Sequence, residues 1–138
     1  MIETLECMSV LINICSAIRD LRSKLFNSER KKEIAAWLSE LSAIIEEMAE
    51  FLSNKEYPHK TCARMGYLAE MFPNTVGDAL TEREEIRVHT LLVSAVNIER
   101  MYGEFLDQSK EDKVSYLQEL YSISGTLLGI ADTLKYDN

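Results

Sequence analysis

The stretch EYPHKTCARM, residues 56–65, puts a proline, a histidine and a cysteine within a few positions of one another. Cys62 falls in the first turn of a predicted helix, where the positive end of the helix dipole lowers a thiol pKa, and His59 lies one turn away. A thiolate beside an imidazole is the minimal nucleophile and base pair of covalent catalysis. Nothing adjacent in sequence supplies an oxyanion hole or an acid to orient the histidine, and cysteine serves equally as a small buried hydrophobe. The structural account therefore takes precedence: Pro58 starts a helix, because its missing N–H costs nothing in the first turn, and Tyr57 and Cys62 pack. A zinc site needs more, since two ligands here and a distant His89 do not complete a tetrahedron.

Carboxylates gather in IIEEMAE, residues 44–50. Glu46, Glu47 and Glu50 resemble the E-E-x-x-E pattern of the all-α nucleoside triphosphate pyrophosphohydrolases of the MazG type, and Glu104 and Asp107 would supply their E-x-x-D element. That resemblance implies a Mg²⁺ site, because Mg²⁺ is a hard cation that takes oxygen ligands and bridges phosphates. The spacing from Glu50 to Glu104 is longer than that family usually shows. On a helical wheel Glu46 and Glu50 also stand nearly opposite the Leu41–Met48 face, where carboxylates ordinarily form a solvated surface. A third set is REEIRVH, residues 83–89. Its Arg83 and His89 resemble the R-x(4 to 6)-H motif of HEPN ribonucleases, which are compact and commonly dimeric helical bundles. The resemblance implies acid-base cleavage of RNA with stabilisation of the phosphate. Glu84 departs from the polar amide-type residue usual there.

These residues must be positioned by helices, for apolar residues recur at the helical period and no window alternates as a strand would. A first helix is expected over residues 3–26, with Met8, Leu11, Cys15, Ile18 and Leu25 on one stripe and Cys7, Val10, Ile14 and Leu21 on another. Only Glu3, Glu6, Ser9, Asn13 and Ser16 form a polar stripe, so this helix should be buried by more than one neighbour or by another subunit. Asn27 or Ser28 caps a second helix running to about Ser53, whose face is Ile34, Trp37, Leu38, Leu41, Ile44, Ile45, Met48, Phe51 and Leu52. A third, opened by Pro58, carries Cys62, Met65, Leu68, Ala69 and Phe72 and stops near Pro73. Thr81 with Glu84 is a capping box for a fourth over residues 82–106, with Val88, Leu91, Leu92, Ala95, Ile98, Tyr102, Phe105 and Leu106 as its core stripe. Ser109 and Asp112 open the last, with Val114, Leu117, Leu120, Tyr121, Leu127, Leu128, Ala131 and Leu134 as a broad apolar face. The expected fold is all-α: a single four-helix-bundle-like domain over residues 1–138, four long helices plus a short one or two in the middle connection.

The chain has 138 residues, enough to bury a core without metal or disulfide staples. Its 15 basic and 23 acidic residues give a net charge of −8, which opposes phosphate backbones and argues against nucleic-acid binding. Three cysteines cannot all pair, and Cys7 and Cys15 stand roughly 12 Å apart along a helix. Free thiols point to a reducing compartment, so the cytoplasm is expected. The apolar N-terminus carries Glu3 and Glu6 where a signal peptide has basic residues, and no run reaches the length of a membrane span, so a soluble, unprocessed chain is expected.

Finally, Y-P-H-x-x-C-A-x-M, read at Tyr57, Pro58, His59, Cys62, Ala63 and Met65, resembles a segment of uncharacterised helical domains of bacterial, notably cyanobacterial, proteins. The likeness extends loosely through MFPNTVGDAL to SISGTLLGIADTLK. Lys60 and Thr61 depart from the glycine and lysine those domains place between His and Cys. The resemblance implies a helical fold and an accessory or regulatory role, and it transfers no catalytic residue. The reading that follows is a non-enzymatic interaction or regulatory module without cofactor. A homodimer is expected, formed through the first helix or through the small-residue patch Ser122, Gly125 and Gly129 of the last, since small residues allow close helix approach. The Mg²⁺-dependent pyrophosphohydrolase and the HEPN-like ribonuclease are the alternatives.

Overall fold

The structure, a computed structural model, describes residues 12, 13, 15, 16, 19, 20, 26–75, 81–95 and 98–136, with backbone alone at 62, 72–75, 87, 88, 91–95 and 98–101. Among these residues the fold is all-α, with no strand. Five helices follow in order: α1 (Ser28–Ser53), α2 (His59–Thr75), α3 (Glu82–Ala95), α4 (Ile98–Leu106) and α5 (Lys110–Tyr136). The expected helix over residues 3–26 lies mostly outside the described residues. Of it, Cys15 is buried and Ile12 packs against the core, while Asn13, placed on the polar stripe, is exposed.

α1 forms where its sequence dictates. Asn27 caps it, its side-chain Oδ1 accepting from the Arg30 N–H at 2.7 Å and so satisfying an orphan donor of the first turn. Ile34, Trp37, Leu38, Leu41, Ile44, Ile45, Met48 and Leu52 are buried as expected, and Phe51 at the edge of that face is half-buried. The helix ends in a Schellman motif: the Glu56 N–H reaches Phe51 O at 2.8 Å and the Lys55 N–H reaches Leu52 O at 3.0 Å. The residue that must turn left-handed is Lys55, at φ 58°, a position where glycine carries no Cβ penalty. Pro58 is buried immediately ahead of α2, and α2 runs past Pro73 to Thr75 rather than stopping there.

α3 begins at the expected capping box. The Thr81 N–H donates to Glu84 Oε1 at 3.0 Å, and the Glu84 N–H donates to Thr81 Oγ1 at 3.2 Å. The single helix expected over residues 82–106 is described as two, α3 and α4, with residues 96 and 97 between them outside the described set. Of its expected core stripe, Phe105 is buried and Tyr102 packs against the core, but Leu106 is 45% exposed. Ser109 caps α5 by accepting from the Asp112 N–H at 3.2 Å.

α5 is the main neighbour of α1; α2 also packs on α1, α3 on α2 and α4 on α5. The buried face of α5 corrects the expectation. Leu120, Leu127, Ala131 and Leu134 are inside, together with Tyr116, Ile123 and Ile130, while Val114, Tyr121 and Leu128 are 50%, 42% and 45% exposed. The helix is rotated because its close approach to α1 runs through serines. Ser42 Oγ donates to Ser124 O at 2.7 Å, and Ser124 Oγ donates to Ser42 O at 2.8 Å. Each hydroxyl fills the other helix's carbonyl, so two small buried polar side chains let the backbones approach without an unpaired group. Ser122, Gly125 and Gly129 lie on the opposite, exposed side, where a Cβ added at either glycine would meet nothing within 4 Å.

Candidate functional site

The residues singled out for chemistry are dispersed. Glu46 and Glu50 are exposed on α1, Glu104 is half-buried on α4 and Asp107 is exposed beyond it. Glu47 is engaged elsewhere: it accepts from Thr61 Oγ1 at 3.3 Å and from the Arg64 guanidinium, both on α2. Among the described residues no group of three His, Cys, Asp or Glu side chains comes together to hold a metal ion. Arg83 and His89 are both exposed on α3, and their spacing sets them about 120° apart around a helix and about 9 Å apart along it. His59 is exposed and tilts against Tyr57, ring centroids 4.2 Å apart, and Tyr57 meets Tyr102 edge-on at 4.9 Å. The Cys62 side chain lies outside the described residues, so its pairing with His59 does too. Around it, the EYPHKT segment does structural work: it leaves the Schellman turn, buries Pro58 and tucks Tyr57 against α4.

What the structure does bring together is a groove between α1 and α2, of about 790 Å³. The two helices run antiparallel, as the Trp37 indole N–H donating to Leu68 O at 3.3 Å and the Arg64 Nη2 contact to Glu40 at 2.7 Å both require. Trp37 and Leu68, each 4% exposed, form the floor. Ala36 on α1 and Ala63 on α2 are exposed and too small to fill the space above it, while Tyr67 and Met71 stand up from the α2 side at 65% and 42% exposure. The α1 wall carries Glu33 and Glu40, the α2 wall Lys60 and Arg64. Arg64 spans both helices. Its hydrogen bond to Glu40, with the charges of Glu47 and Glu40, holds the guanidinium above its already high ordinary value. Among the described residues the floor of the groove, Trp37 and Leu68, carries no nucleophile or base. It can receive an apolar side chain or a helix face.

Sequence reading missed this groove because its lining is spread over two helices and no residue in it is chemically unusual. The available signal was Tyr67 and Met71 at i and i+4 on α2, off the Met65–Leu68–Ala69 face, beside Lys60 and Arg64 on the same flank. Comparison with known proteins finds no match to the chain among family models, curated proteins or solved structures.

Proposed function

We propose that the chain is a non-enzymatic protein-interaction module, regulatory or accessory in role, whose working surface is the groove between α1 and α2. The observation that supports this is the apolar floor and open volume of that groove, with Tyr67 and Met71 projecting beside it. Exposed aromatic and methionine side chains over a hydrophobic trough are the features by which a helix or a loop anchor is received. The resemblance of residues 57–65 to helical domains of bacterial proteins implies the same kind of role. In this reading the architecture is four-helix-bundle-like, with the helix expected over residues 3–26 counted as one of its four long helices. No cofactor is assigned, and the acidic net charge speaks against a nucleic-acid partner. A cytoplasmic setting fits the free, buried Cys15, and no helix among the described residues is long and apolar enough to cross a membrane.

A photo-crosslinking residue placed at Ala36 tests the reading in an extract of cells producing the chain. A covalent protein adduct is expected from Ala36 and none from a control position at Glu119 on the exposed side of α5. If Ala36 gives no more adduct than Glu119, the groove is not a docking surface and the proposal fails.

A further inference from the structure

α5 carries two apolar stripes, and its packing against α1 uses one of them. Tyr116, Ile123 and Ile130 turn inward, while Val114, Tyr121 and Leu128, at the same spacing, stay exposed. A row of large apolar side chains left open to water marks a surface that meets something. The exposed row also has ends and gaps of a definite kind. Within about 40° of it around the helix lie Lys110, the half-buried Leu117, Gly125 and Asp132. Lys110 and Asp132 are exposed, and neither makes an ion pair among the described residues. Gly125 sits inside the helix with open space where a Cβ would be, although alanine there would favour the helix.

We infer that this face of α5 docks on the same face of a second copy of the chain, the two helices antiparallel and the two-fold axis passing beside Tyr121. The surface is separate from the groove between α1 and α2 and does not depend on it. A two-fold interface pairs each patch with itself, and antiparallel pairing about Tyr121 sets each residue level with the one equally far along on the other side. Val114 then meets the partner's Leu128, and Lys110 meets the partner's Asp132. Leu117 comes level with the partner's Gly125, whose missing Cβ leaves room for it. Each of these contacts occurs twice, and Tyr121 meets its own copy at the axis, where two rings can stack offset. Farther out, Asp107 and the partner's Lys135 are again level and of opposite charge. Glu111, the acidic residue beside Lys110, stands about 80° around the helix from Tyr121 and so falls to the side of the seam. A parallel pairing would instead set Lys110 on Lys110, Asp132 on Asp132 and Gly125 on Gly125, with like charges opposed at both ends and a gap between. The order of charge, apolar and small residues is its own complement when reversed, which a second copy supplies by symmetry. From Lys110 to Asp132 the seam is about 33 Å long, and its charges cancel on a chain of net charge −8.

Sedimentation equilibrium of the purified chain tests the association, and cysteine pairs test its geometry. A dimer is expected at micromolar concentration. On oxidation Tyr121→Cys should link to its own copy, and Val114→Cys should link to Leu128→Cys when the two variants are mixed. Val114→Cys alone should give no link at position 114, because its two copies stand about 21 Å apart along the seam; peptide mapping separates these products from bonds made by the native thiols. Lys110→Asp, which sets acid against acid twice, should raise the dimer dissociation constant about ten-fold, and adding Asp132→Lys should return it to within about three-fold of the parent. Every substituted position is exposed, so circular dichroism should remain that of the parent. A monomer at every concentration would overturn the inference, as would a link between two copies of Val114→Cys or a double reversal that restores nothing. So would a photo-crosslinking residue at Tyr121 whose adducts map to residues 3–26 of its own chain or to an unrelated protein, since the stripe would then be covered by something else.

Discussion

Cys15 is buried, and its removal from water pushes the thiol from an ordinary value of 9.0 up to about 12, because a thiolate cannot be solvated there. Below about pH 9 neither folded nor unfolded chain ionises this group, and it adds no pH dependence. From there to about pH 12 the unfolded chain loses the proton while the folded chain keeps it, so stability falls as pH rises. Urea unfolding of the parent chain above pH 9 should therefore show a steeper loss of stability with pH than Cys15→Ala, and equal slopes would mean the thiol is not held neutral by burial. The same burial makes Cys15 inert to alkylating reagents in the native protein. Sequence reading placed Cys15 on a core stripe from periodicity alone. It could not treat Glu47 as well: the wheel that set Glu46 and Glu50 on a solvated face says nothing of Arg64 and Thr61, which reach Glu47 from another helix.

At the scale of the element, helix boundaries were legible wherever a side chain closes its own backbone. Asn27, Thr81 with Glu84, and Ser109 all cap as their local sequence implies, because a cap is an interaction within a few residues. The end of α1 was legible in position but not in kind, since its left-handed residue is Lys55 and not a glycine. A side chain with a Cβ is strained there, so Lys55→Gly should stabilise the fold by about 1 kcal/mol. Chemical denaturation reads this directly, and a loss of stability would mean that Lys55 makes compensating contacts. The orientation of α5 was not legible. Val114, Tyr121 and Leu128 repeat every seven residues, and so do Tyr116, Ile123 and Ile130. Two stripes of similar apolar weight on one helix leave the choice to the partner. α1 makes that choice with Ser42, which admits Ser124 and so turns the second stripe inward.

For the whole molecule, the serine contact is what sets the register of its two longest described helices, 26 and 27 residues long. Ser42→Leu should cost about 3 kcal/mol or more, since it overpacks a close helix contact and strips Ser124 of its partner. Ser42→Ala, which removes the hydroxyl and keeps the space, should cost about 1 kcal/mol. Thermal and urea unfolding of the two variants separate the effects, and equal losses would mean that the spacing of α1 and α5 does not depend on these serines. The groove between α1 and α2 belongs to this scale too. It arises from how two helices splay above Trp37 and Leu68, which no single-helix pattern encodes.

The Ser42–Ser124 pair joins positions 82 residues apart in the chain. During synthesis, the apolar stripe of α1 is complete long before the helix that covers it has been made. Ile34, Leu41, Ile45 and Met48 must wait through the translation of α2, α3 and α4, and closing so long a loop adds an entropic cost that grows only with the logarithm of its length. The delay, more than that cost, is the hazard: a nascent chain stalled before Lys110 has α2 to pack on α1 but lacks the helix that is the main neighbour of α1.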